Sequence, residues 1–181
     1  MKASSLFASL ILVVLLLFTS CASSKTMNVE ASTSPIINVR EQSQKYNMQL
    51  DFMKHHLSGM LIVRRLPDDE IRILATTYFG LSLFDFSLQG DEFRVNSCME
   101  PMKKKKILQL LEADFKNLFL NQKNVRIKKK NDTSEERVTG RGFGKSVFHL
   151  SEFVTERPEQ IRIRHPWLRL SIQLDKLNEN K

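Results

Sequence analysis

The side chains able to do chemistry are few and scattered. The chain has four histidines, two cysteines and one tryptophan. His55 and His56 are adjacent, which invites a metal reading. Neighbouring residues of a strand point to opposite faces, so the pair cannot easily share one ion. No cluster of cysteines or carboxylates accompanies them, and neither a metal nor a cofactor is expected. His149 sits in a strand-like run, and His165, just before Pro166, reads as a turn residue. No histidine has an acid and a nucleophile at a recognisable spacing, so the chain is not expected to be an enzyme. Gly144-Lys145-Ser146 could end a phosphate loop, but that motif needs glycine where Thr139 stands. Cys98 beside a strand end reads as a packed small hydrophobe. The run Lys103, Lys104, Lys105 and Lys106 sits badly at the start of a helix, because four cations oppose the positive helix end. Contact with anionic lipid head groups is one explanation of the run, and simple solvation is the other.

The ends of the chain frame these residues. Residues 1–20 carry a basic start and an apolar core from Leu6 to Phe18, the pattern of a secretory signal. The core ends in Thr19-Ser20-Cys21. Small residues before a cysteine resemble the lipobox of bacterial lipoproteins, which implies cleavage before Cys21 and acylation there, palmitate included. An ordinary signal with a chance cysteine is the alternative. Residues 21–44, rich in Ser, Thr and Asn, read as a flexible tether. Ala22 follows the cysteine, with no acidic run after it. By the Gram-negative sorting rule this resembles delivery to the outer membrane, facing the periplasm. The net charge of +8 fits an anionic membrane surface, nucleic acid or mere solubility. Export and the lack of any nucleic-acid motif argue against the second.

The elements that must position these groups lie within 45–176, with a polar tail at 177–181. Residues 45–52 alternate strictly: Tyr46, Met48, Leu50 and Phe52 share one face. Four β-rich runs follow at 57–66, 70–78, 80–89 and 92–97, broken by turn residues too close together for a crossover helix. They predict an antiparallel meander. Both faces of these runs carry apolar residues, so both need cover. In the third run the apolar set changes face between Leu83 and Phe84. Residues 102–120 change period and read as an amphipathic helix on the sheet, with Asp114 intruding on its apolar arc. Runs at 125–129, 145–155, 160–164 and 167–174 predict further strands. Residues 131–144 read as a glycine-rich hairpin or loop.

This order, with the segment Arg72-Ile-Leu-Ala-Thr-Thr-Tyr-Phe-Gly-Leu-Ser-Leu-Phe-Asp-Phe86, resembles the LolB-like outer-membrane lipoprotein receptors. The resemblance covers roughly 46–174. It implies an α+β fold: an antiparallel, half-open β-barrel of about nine to eleven strands with a plugging helix. It implies a protruding apolar corner that passes lipoproteins to the membrane, here Phe79 followed by Gly80. It also implies a hollow for acyl chains, for which Met60, Ile62, Leu74, Phe84, Phe86, Leu111 and Phe115 are the candidate lining. The expected function is a lipid-anchored periplasmic lipoprotein that binds acyl chains and acts as a chaperone in lipoprotein or lipid transfer. Its partners would be the membrane, acyl or lipoprotein cargo and a periplasmic carrier protein. The alternative is a structural or interaction lipoprotein of the envelope with a filled core.

Overall fold

The computed structural model describes residues 33–177. The expected signal segment 1–20, the expected lipidation at Cys21 and the expected tether as far as residue 32 lie outside the described residues, as do 178–181. Ten antiparallel strands form one sheet: β1 (Gln44–Phe52), β2 (His55–Arg65), β3 (Ile71–Thr77), β4 (Ser82–Gln89), β5 (Glu92–Cys98), β6 (Arg126–Lys130), β7 (Ser134–Thr139), β8 (Ser146–Val154), β9 (Arg157–His165) and β10 (Leu170–Lys176). Their order is β5-β4-β3-β2-β1-β10-β9-β8-β7-β6. β5 and β6 are the free edges, so the sheet is open rather than closed into a barrel. Among the described residues one α-helix, α1 (Lys105–Phe119), follows a 3-10 turn at Glu100–Met102.

Alternation explains the two-faced strands. Leu61, Val63, Ile71, Ile73 and Ala75 are buried on one face of β2 and β3, while Met60, Ile62, Arg72 and Leu74 are half-buried on the other. The face change expected in β4 is a register shift beside Ala75 and Thr76, which pair with Phe84 and Ser82 and leave Leu83 as the extra residue. Close approach of β2 and β3 requires Gly59, since a Cβ there would lie 1.9 Å from the Thr76 carbonyl oxygen. Inside, α1 lays Ile107, Leu111, Phe115 and Leu118 against the sheet. Phe115 meets Phe84 at 5.6 Å and Phe86 at 5.8 Å between ring centroids. Burying so many large side chains, at about 25 cal/mol per Å² of apolar surface, is the main force holding helix to sheet.

Several elements depart from the sequence reading. Residues 33–43, expected to be tether, pack into the fold: Ile36, Ile37 and Val39 are buried, and the Ile37 amide donates to the Leu118 carbonyl. Three apolar side chains among polar ones are enough to anchor the segment. A strand, β7, occupies the middle of the segment read as a glycine-rich hairpin or loop, where Glu135 is buried on one face and Val138 on the other while both pair with β8. β9 begins at Arg157, and the turn before it falls at Thr155 and Glu156, both at positive φ. His165 ends β9 as a buried residue rather than a turn residue.

Candidate functional site

Antiparallel pairing sends alternate turns to the same end of the sheet. The β1–β2 turn at Met53, the β3–β4 corner at Phe79, the β7–β8 loop at Phe143, the β9–β10 turn at Trp167 and the start of α1 all lie at one end. Between α1 and two of these turns lies a cleft of about 570 Å³, lined by Phe52, Met53, Ile107, Trp167 and Leu168. Its remaining lining is Lys54, Lys104, Lys105, Lys106 and Arg169, with no acidic residue. Clefts of this size, mostly apolar with a few polar groups, are typical small-molecule sites.

Local sequence explains the shape. Met53 at φ 57 makes the tight β1–β2 turn, and its amide donates to the Arg169 carbonyl at 3.1 Å, which ties the two turns together. Pro166 and a left-handed Arg169 fold the β9–β10 turn and leave Trp167 64 % exposed. Phe143 tilts against Trp167 at 5.9 Å, and Lys106 Nζ stands 5.9 Å from the Phe143 ring. Lys104 is the N-cap of α1 and makes no side-chain capping bond, and the first turn holds no acid. Lys103 alone in the run is paired, to Glu100, which holds its ammonium above the ordinary range. Among the described residues, Lys54, Lys104, Lys105, Lys106 and Arg169 have no acidic partner.

The Phe79-Gly80 corner stands at the same end. Phe79 is 96 % exposed, and Tyr78 and Leu81 beside it are exposed as well. Gly80 at φ 82 supplies the left-handed residue the turn needs. The Gly80 amide donates to the Thr77 carbonyl, and the Thr77 amide donates to the Leu81 carbonyl. Tyr78 Oη donates to Asn47 Oδ1 at 2.9 Å and braces the corner against β1.

The seven residues expected to line one hollow are divided. Phe84, Phe86, Leu111 and Phe115 meet beneath α1, fully buried against one another. Met60, Ile62 and Leu74 lie on the outer face, where β2 and β3 direct alternate side chains. None of the seven lines the loop-end cleft. The expected interior hollow is therefore occupied by side chains where α1 crosses the sheet.

The sequence matches no protein-family profile and no curated protein. The most suggestive triad by composition is Ser146, Asp114 and His165, from β8, α1 and β9. His165 Nε2 and Asp114 Oδ2 are 2.6 Å apart, and Ser146 Oγ donates to Asp114 Oδ1 at 2.7 Å. His165 Nδ1 lies 3.4 Å from the same hydroxyl. The His165 and Asp114 side chains are both 0 % exposed. A nucleophile sealed from solvent, with its proton directed at a carboxylate, has no substrate to attack. This trio instead satisfies three buried polar groups and fastens α1 to β8 and β9. Sequence reasoning saw Asp114 interrupt the apolar arc but missed its partners, which are 32 and 51 residues away.

His56 pairs with Asp51 at the surface, and among the described residues no group of three His, Cys, Asp or Glu side chains could hold a metal. Burial pushes the Cys98 thiol up, which suits a packed side chain and not a nucleophile. No helix among the described residues is long and apolar enough to cross a membrane.

Proposed function

We propose that this protein is a lipid-anchored envelope lipoprotein, tethered through Cys21 to the periplasmic face of the outer membrane, that binds acyl chains and takes part in lipid or lipoprotein transfer. The single observation behind the reading is the apolar loop-end cleft, open beside exposed Met53 and Trp167. The chain would enter there, rather than through the interior occupied by Phe84, Phe86 and Phe115. Phe79, bare at the same end, suits contact with a bilayer or with the apolar part of a cargo, as the LolB-like resemblance implies. No catalysis is part of the proposal. A delivering carrier would approach this end too.

The test is recovery of lipid from the full chain purified from bacterial envelopes, read by mass spectrometry. Met53→Asn is the comparison variant, since asparagine tolerates the positive φ found there while removing apolar lining. Acyl lipid bound to the wild type and depleted in the variant supports the reading. Equal recovery from both places the ligand elsewhere and sinks it. In the same sample Cys21→Ala should abolish acylation of the chain and release it from the membrane fraction.

A second reading is favoured by the packed interior. A structural or interaction lipoprotein of the envelope would need no hollow. Complete absence of lipid from the wild type would select it.

A further inference from the structure

We propose that the loop-end cleft selects acyl chains that carry an anionic head group, a proposal that rests on the acyl-binding reading above. The apolar part of the site accounts for the chain, and the charged part is answered by no acid among the described residues. Lys54, Lys104, Lys105, Lys106 and Arg169 surround one cleft without an acid in its lining. Among the described residues none of them has an acidic partner, whereas Lys116, lower on the same helix, has two, Asp91 and Glu112. Three of these cations stand at the uncapped start of α1, where the aligned peptide dipoles add further positive potential. Like charges gathered this way repel one another, and the sequence accepts that penalty only at this end of the helix.

An anion at the mouth would reverse each unfavourable feature. A carboxylate or phosphate beside Lys104 and Lys105 would neutralise the repulsion and complement the helix terminus. Its acyl tail would run past Met53 and Trp167 toward Phe52 and Ile107. A neutral amphiphile gains the apolar contact alone. A fatty acid and a lysophospholipid acid share the required chemistry, an anion on one apolar chain.

Trp167, the only tryptophan of the chain, reports on the site directly. The full chain, held in a non-ionic amphipol, is titrated with dodecanoate, dodecyl phosphate, dodecanol and dodecylphosphocholine while Trp167 fluorescence is followed. Inorganic phosphate alone serves as the tail-free probe. The two anionic amphiphiles should bind about tenfold tighter than the other two at low salt, the preference fading as salt rises. The order of dodecanoate and dodecyl phosphate identifies which anion the mouth prefers. Lys104→Gln/Lys105→Gln/Lys106→Gln should abolish the preference, bringing the two anionic amphiphiles to the affinity of dodecanol. Lys123→Gln/Lys129→Gln, a control on exposed cations outside the cleft, should change neither. Equal binding of charged and neutral amphiphiles would overturn the head-group inference and leave acyl binding standing. No saturable response to any of the four would overturn acyl binding itself, and the inference with it.

Discussion

Two hollows of nearly equal volume lie at opposite ends of the sheet, and they are built differently. The loop-end cleft is about 570 Å³ and the far hollow, beside the β6–β7 and β8–β9 turns, about 560 Å³. The far hollow is lined by charges of both signs, and its buried carboxylate is answered within the protein. Buried Glu135 accepts from Arg137 and faces Lys130, and Arg137 also donates to the Ser34 carbonyl. Apolar lining is sparse there, and the segment 34–36 covers part of it. In the loop-end cleft the apolar wall is broad and the cations have no acidic partner among the described residues. Volume therefore does not separate a binding site from a gap in packing. Unbalanced charge beside exposed apolar surface does.

The contrast is broken most sharply at Glu135. Glu135→Ala would leave the Arg137 guanidinium, largely shielded from water, without its carboxylate. Losing one partner of a buried ion pair costs about 3 kcal/mol or more. The urea midpoint should fall accordingly, with Glu135→Gln less affected because it keeps a hydrogen-bond acceptor. The corresponding removal in the cleft, Lys104→Gln/Lys105→Gln/Lys106→Gln, should leave the midpoint nearly unmoved. A fall of similar size in both would show that the lysines of the cleft are held by the fold as firmly as the Glu135 pair.

Tyr46 tests the far end by pH. It is buried near Ile36, Ile37 and Arg157, and burial, aided by Glu159, pushes its hydroxyl up to about 12. The folded state thus favours the neutral phenol. That contribution is complete below the unfolded value near 10 and is lost as pH rises toward 12. Two pH units correspond to at most about 3 kcal/mol. Over this range the wild type should lose about 2 kcal/mol more stability than Tyr46→Phe. Parallel curves for the two proteins would mean that Tyr46 ionises in the folded state as freely as in the unfolded one.

How far the sequence reveals these ends follows from the range of the interactions. Strict alternation in residues 45–52 and short turns between runs identify β1 to β5, because pairing between chain neighbours is a local property. Amphipathic spacing identifies α1, and the crowding of lysines at its start is visible by eye. The pairing of Glu135 with Arg137 is also local, yet β7 was hidden, since its glycine-rich surroundings outweigh two buried positions. His165 fails differently. Pro166 signals a turn, but only the fold brings Asp114 and Ser146 to it. Which of the apolar residues share a face depends on the bulge at Leu83 and the cover by α1. Candidates chosen by hydrophobicity alone, such as Met60 and Phe84, therefore fall on opposite sides.

Within the cleft the next effect is on binding. Trp167 is exposed and contacts Phe143, so its removal strips apolar area from the mouth without opening the core. Trp167→Ala should weaken dodecanoate binding about tenfold, about 1.4 kcal/mol, by calorimetry. Its thermal midpoint should stay within the shift expected of surface changes, about 0.5 kcal/mol. Phe143→Ala should act in the same direction with a smaller loss. A large stability change for Trp167→Ala would reassign the residue from the site to the fold.

The smallest effect is the most discriminating, because stability and binding should move in opposite senses. Lys105 stands at the first position of α1, exposed, in a first turn without any acid. Lys105→Glu places a carboxylate near the positive end of the helix dipole and relieves repulsion among its lysine neighbours. Each change of this kind is worth about 0.5 kcal/mol, so the thermal midpoint should rise by a degree or two. The same carboxylate faces the mouth of the cleft and should repel an anionic head group, weakening dodecanoate binding while sparing dodecanol. A solvated run with no ligand would gain the same stability and show no such split. Gain in folding coupled to selective loss in binding is the signature of charge placed for a ligand, since a sequence tuned for the helix alone would not have put lysine there.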